Sequence, residues 1–163
     1  MVNDSYKVKG SAGMGTATPT PWIGIRDIDV TPNFQQGVYV VYLFSEDMNS
    51  LFLSISQGTE KLRKQLGSKV SKDQLKSNAS TVQHLMKETI KKYNFVKSID
   101  LKSTQIRAKS YEDGTFFSIK YELSKLPEND KLVSDINLMM VLYPEAVDCL
   151  SLIHISEPTR PQC

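Results

Sequence analysis

Apolar residues crowd most densely into two neighbouring runs, Gly37–Phe44 (GVYVVYLF) and Leu51–Ile55 (LFLSI). Val, Tyr, Phe, Leu and Ile at this density predict β-strands. The polar run Ser45–Ser50 between them predicts a hairpin loop. Side chains alternate along a strand, so Tyr39, Val41 and Leu43 share one face. Upstream, Tyr6–Lys9 alternates and predicts a short edge strand, and Trp22–Ile25 predicts another. Residues 10–21, rich in Gly, Thr, Ser, Ala and Pro, read as an exposed loop. Residues 26–36, with Pro32, read as a second, polar loop.

The period changes after Gly58. Thr59–Gly67 predicts a short helix that Gly67 stops. Ser71, with Gln74 completing a capping box, predicts the start of a longer helix reaching Tyr93. Leu75, Val82, Leu85, Met86, Ile90 and Tyr93 supply its apolar stripe. His84 lies beside that stripe with no second His or Cys nearby, which makes it a packing or surface residue. Strand character returns in Ser98–Leu101, Ile106–Lys109 and Thr115–Leu123, the last preceded by an Asp113-Gly114 hairpin signal. Pro127 precedes a final helix, capped by Asn129 or Asp130 and ended by Pro144. Its buried face would be Leu132, Ile136, Met139, Met140 and Tyr143. This order predicts an α+β fold: a bent, mainly antiparallel sheet with helices packed against it.

A chain of 163 residues predicts one domain with a single core. No apolar run is long enough to span a bilayer, and the first residues lack the apolar region of a signal peptide. The expected location is therefore cytoplasmic, with no membrane partner. Cys149 and Cys163 give neither a disulfide framework nor a metal-ligand spacing. Net charge is only +2, but residues 58–97 hold ten Lys or Arg against three acids, +7 for that segment and −5 for the rest. Such a segment is either a phosphate-binding surface or a solvated helix face. Lys61, Arg63 and Lys64 are the candidate phosphate contacts.

The motifs of catalysis are missing. Nothing matches a P-loop. Gly10–Gly15 (GSAGMG) has no helix after it, because Pro19 and Pro21 intervene, so it is not read as a nucleotide fingerprint. There is no zinc set and no Ser-His-Asp set. Glu46, Asp47, Glu112 and Asp113 flank turns and read as solvated acids. No catalytic residue, metal or cofactor is expected, and the chain is read as a binding module.

One ordered series is more specific than any of its parts: Gly13-Met14-Gly15, then Pro21-Trp22-Ile23, then Gly37-Val38-Tyr39-Val40-Val41-Tyr42-Leu43, then the second apolar strand. The series resembles the N-terminal DNA-binding domain of the McrB-like restriction proteins, which act on DNA carrying modified cytosine. It continues to about Pro144 and so covers most of the chain. The resemblance implies that duplex DNA with modified cytosine is the partner, and that the base is flipped into an aromatic pocket. By position, that pocket is Trp22, Tyr39, Leu43 and Tyr111. A wedge loop, Gly13, Met14 and Gly15, would fill the gap in the duplex. Met14 departs from the aromatic residue of the family, although apolar wedges also serve in DNA-kinking proteins. All four pocket positions can instead be core residues. That reading suits Leu43 best, and for Trp22 and Tyr111, beside loops, both stand.

The resemblance also implies that the motor and the nuclease lie on other domains or partners. Family members carry a helical segment ahead of the G-x-G region, so the chain is expected to be short at its N-terminus. Leu150–Arg160 resembles a translated sequencing adapter. The domain is accordingly expected to end near residue 148, with 149–163 an added tail in which His154 and Cys163 carry no chemistry. Two other functions compete with modified-cytosine recognition. One is a protein-interaction or structural α+β domain. The other is the sensor domain of a nuclease fusion that reads a different DNA feature.

Overall fold

The structure, a computed structural model, describes residues 5–12 and 20–155. Five strands form one sheet in sequence order: β1 (Tyr6–Ser11), β2 (Trp22–Asp27), β3 (Val38–Phe44), β4 (Ser50–Gln57) and β5 (Thr115–Glu122). Every ladder is antiparallel. The α+β expectation holds, and β1 does occupy an edge. The β3–β4 hairpin forms where the apolar runs place it, with Tyr39 opposite Ser56 and Leu43 opposite Phe52. Ser45 closes the turn, donating through its hydroxyl to Asp47 Oδ1 at 2.6 Å and accepting from the Ser50 N–H at 3.0 Å.

The hairpin strands are apolar at nearly every position because both faces of the sheet are covered. On one face, Val38, Val40, Leu53 and Ile55 pack with Ala79, Val82, Met86, Met139, Tyr143 and Ala146. Those partners come from α1 (Glu60–Leu85), the residue that follows it and α4 (Asn129–Ile155). On the other face Tyr39, Val41, Leu43 and Phe52 pack with Ile99, Leu101 and Ala108, the last from α3 (Ile106–Gly114). Short α2 (Lys87–Tyr93) completes the helices. No helix among the described residues is long and apolar enough to cross a membrane.

Six local expectations are corrected. Ile106–Lys109 is not a strand but the start of α3, and Asp113-Gly114 closes that helix instead of turning a hairpin. Four residues are too few to separate a period of 2 from one of 3.6. Ala108 and Tyr111, three apart, face the sheet while Ile106 is exposed. Ser98–Leu101 is likewise irregular, although Ile99 and Leu101 are buried.

Ser71 does not cap a helix. Gly67 breaks α1 at φ +80°, the helix resumes at once, and the Ser71 hydroxyl donates back to the Ser68 carbonyl at 3.1 Å. The helix expected to run from Ser71 to Tyr93 is interrupted at buried Met86, and left-handed Asn94 ends α2.

Pro144 does not end α4, which continues to Ile155. Proline inside a helix forfeits one backbone bond and costs about 3 kcal/mol. Tyr143, Ala146 and Cys149, on both sides of exposed Pro144, bury against the same core and offset that loss.

A candidate base-binding cavity with a basic rim

Strand register places the first members of the site. Trp22 pairs with Leu43 and Gly24 with Val41, so these four residues point to one face. Tyr39 lies on that face too, further along β3. Gly24 leaves a gap over β2, and the ring of Phe34 fills it. A Cβ on Gly24 would lie 2.5 Å from the Phe34 ring. Phe34 is therefore able to bridge its neighbours, with centroids 5.2 Å from Trp22 and 5.1 Å from Tyr39 in an edge-on contact. These separations suit favourable aromatic pairing. Arg26, two residues beyond Gly24, stacks its guanidinium 5.6 Å from the Phe34 centroid and donates to the Thr31 carbonyl at 2.7 Å.

Tyr111 reaches the same space from α3. Trp22, Phe34, Tyr39, Val41, Leu43 and Tyr111 together line an open cavity of about 1260 Å³. All four residues expected to form the pocket are thus brought together. They differ in burial: Tyr39 and Leu43 are 6% and 3% exposed, whereas Trp22 and Tyr111 are only partly buried. Gly13, Met14 and Gly15, the expected wedge, lie outside the described residues.

The polar groups of the cavity are unevenly charged. Lys7 and Lys9 of β1, Arg26 of β2, Arg63 of α1 and Arg107 of α3 all line it. Glu60 lies between Arg63 and Arg107. Its Oε1 is 3.3 Å from Arg107 Nη2 and 3.9 Å from Arg63 Nη2. Arg63 also donates to the Ser110 hydroxyl at 3.4 Å. Burial, followed by the nearby Tyr111 and Glu60, pushes the Tyr39 hydroxyl well above the ordinary phenol range. Burial likewise raises Tyr111, and Glu60 adds to this while Arg107 and Arg63 oppose it. Both phenols therefore stay protonated at neutral pH and can donate a hydrogen bond.

A smaller cavity of about 670 Å³ adjoins the first, lined by Arg63, Lys64, Ser68, Thr104 and Arg107 among others. Of the three expected phosphate contacts, Arg63 borders both cavities and Lys64 only the smaller one. Lys61 borders neither; its side chain is exposed, and its N–H donates to the Gln35 carbonyl at 3.1 Å.

Sequence reasoning passed over Phe34, Arg26, Glu60 and Arg107. The one available signal was Phe34, a lone aromatic in a polar loop. The other three are placed by contacts between distant elements. Among the described residues, no group of three or more His, Cys, Asp or Glu could hold a metal ion.

The chain matches the family model described as MrcB-like, N-terminal domain, over residues 1–148. No curated protein matches it.

Proposed function

The chain belongs to the MrcB-like N-terminal domain family, and from that premise we propose that it is the DNA-binding module of a modification-dependent restriction system. It recognises modified cytosine, 5-methylcytosine in the first instance, by flipping the base out of the duplex. The observation that carries this reading is a cavity lined by aromatic rings and by several cations. A base modified inside a duplex can be gripped on all sides only outside the stack. Unstacking costs a few kcal/mol, and aromatic rings that stack the extruded base offset it. Trp22, Phe34 and Tyr111 are partly exposed rings at the cavity, and the almost wholly buried Tyr39 and Leu43 form part of its wall. Lys7, Lys9, Arg63 and Lys64 line the two cavities and are proposed to meet the phosphates of the distorted strand. Met14, between Gly13 and Gly15, is proposed as the wedge that takes the place of the flipped base. The module carries no catalysis of its own. Nucleotide hydrolysis and DNA cleavage belong to other domains or subunits of a cytoplasmic system.

Replacing Lys61, Arg63 and Lys64 by Glu tests the electrostatic part. Affinity should fall to a similar degree for modified and unmodified duplexes. The plot of log affinity against log salt should become shallower by about 0.9 for each phosphate that the protein no longer neutralises. Lys61 borders neither cavity, so Lys61→Glu alone should contribute least. Unchanged affinity and slope in a salt-titrated binding assay would make these residues a solvated helix face.

Residues 149–163 are proposed to lie outside the functional domain, although Cys149 itself packs in the core. Deleting 150–163 removes partly buried Leu150 from the core margin. Melting should therefore fall by less than about 1–2 kcal/mol, the size expected of a packed element. A larger loss would make this end of α4 part of the domain.

A further inference from the structure

We infer that Glu60 is the residue by which the cavity tells modified cytosine from thymine. The inference rests on the cavity being a base pocket. 5-Methylcytosine and thymine carry the same methyl group at C5, so apolar and stacking contacts with Trp22, Leu43 or Tyr111 cannot separate them. They differ at the pairing edge. Cytosine presents a 4-amino donor and an N3 acceptor, and thymine a 4-oxo acceptor and an N3–H donor. A pocket that accepts one and refuses the other needs an obligate acceptor facing the 4-position, because a carboxylate beside the thymine 4-oxo group repels it.

Glu60 is the single carboxylate among the described residues lining the cavity. It opens α1, and its side chain is 29% exposed. Its charge is felt by both tyrosine hydroxyls of the cavity, which places it beside the rings that would hold the base. The guanidiniums of Arg107 and Arg63 meet Oε1 at 3.3 and 3.9 Å, and the proposal gives the base amino group the other oxygen, Oε2. Arg107 then serves the other half of the cytosine edge, since guanidinium donates and never accepts. The N3 and O2 acceptors of cytosine fit such donors. The assembled set is an acceptor flanked by donors, which complements cytosine and clashes with thymine at the 4-position and N3.

The test compares Glu60→Gln with the parent protein on four duplexes, each with one target pair: 5-methylcytosine·G, C·G, T·G or T·A. The T·G mismatch opens more readily than a matched pair, so a preference for 5-methylcytosine over T·G cannot come from easier flipping. The parent should favour 5-methylcytosine over T·G by about 5- to 150-fold, the discrimination that one good pairing-edge contact supplies. In Glu60→Gln that ratio should collapse towards one, because an amide can turn to offer either a donor or an acceptor. The ratio within one preparation does not depend on the folded fraction, and Glu60→Ala serves as a second variant. If Glu60→Gln and Glu60→Ala keep the parent ratio, or if the parent itself does not discriminate, Glu60 does not read the base and the pocket reading survives. If the parent binds modified and unmodified cytosine duplexes equally, the pocket reading falls and the role of Glu60 falls with it.

Discussion

Trp22→Ala and Tyr111→Ala are each expected to weaken binding to duplex containing 5-methylcytosine by roughly 5- to 150-fold, the 1–3 kcal/mol that stacking one base on an aromatic ring supplies. Binding to unmodified duplex should change far less. Melting should stay close to that of the parent, with a loss no larger than the ~0.5–1.5 kcal/mol of an aromatic pair. Burial is what separates these two residues from their neighbours. Trp22 and Tyr111 are partly exposed and edge the cavity, and Trp22 has Phe34 as its ring partner. Tyr39 and Leu43 border the same space but are almost wholly buried. Their truncation should reach about 2–5 kcal/mol of stability, as in a protein core. Leu43 is thus a core residue that also forms a pocket wall. The two roles are distinguished by measuring melting and modified-DNA affinity on the same samples. If Trp22→Ala loses stability like Leu43→Ala and binds all duplexes equally poorly, its ring is structural.

The second large effect lies on the far side of the sheet. Tyr143 of α4 is 1% exposed. Its hydroxyl donates to the Val38 carbonyl at 2.6 Å and accepts the Asp27 N–H at 2.9 Å. Thr31 reinforces this knot, donating to the same Val38 carbonyl at 2.6 Å and accepting the Val38 N–H at 3.2 Å. Asp27 and Val38 are the last residue of β2 and the first of β3. Tyr143 therefore fastens both ends of the loop that carries Phe34. Tyr143→Ala should cost about 3–5 kcal/mol, the range for a buried aromatic. Tyr143→Phe keeps the ring and should still cost about 1–3 kcal/mol, because the part-buried Asp27 N–H loses its acceptor and the Val38 carbonyl is left with Thr31 alone. The loosened loop should also lower modified-DNA affinity while Trp22 is intact. Thermal melting and binding of Tyr143→Phe check both points. A melting curve that overlays the parent would show that the hydroxyl ties nothing down.

The β3–β4 hairpin was legible because burial on both faces leaves almost no polar position to blur the signal. The family resemblance supplied Trp22, Tyr39, Leu43 and Tyr111, and the two-residue period put Tyr39 and Leu43 on one face. Tyr111 could not have come from pattern alone, since the short Ile106–Lys109 run fits a strand as well as the helix it forms. Pro144 misled because local chemistry predicts a helix end, whereas burial of Tyr143, Ala146 and Cys149 carries the helix through. Phe34, Glu60 and Arg107 stayed hidden for a common reason. Each acquires its place only when remote segments meet: a loop folding over Gly24, and α1 lying against α3. Sequence spacing holds no record of such meetings.

The cavity is proposed to receive a base from the duplex. A base analogue that fluoresces when unstacked, placed at the target position opposite its partner, reads this directly. On binding the parent protein its emission should rise, and with Trp22→Ala the rise should require higher protein concentration. The same analogue placed several pairs away should stay dark. If the target analogue never brightens while the protein is demonstrably bound, the base remains stacked. The cavity is then not a base pocket, and the domain reads DNA, or a protein partner, through its surface.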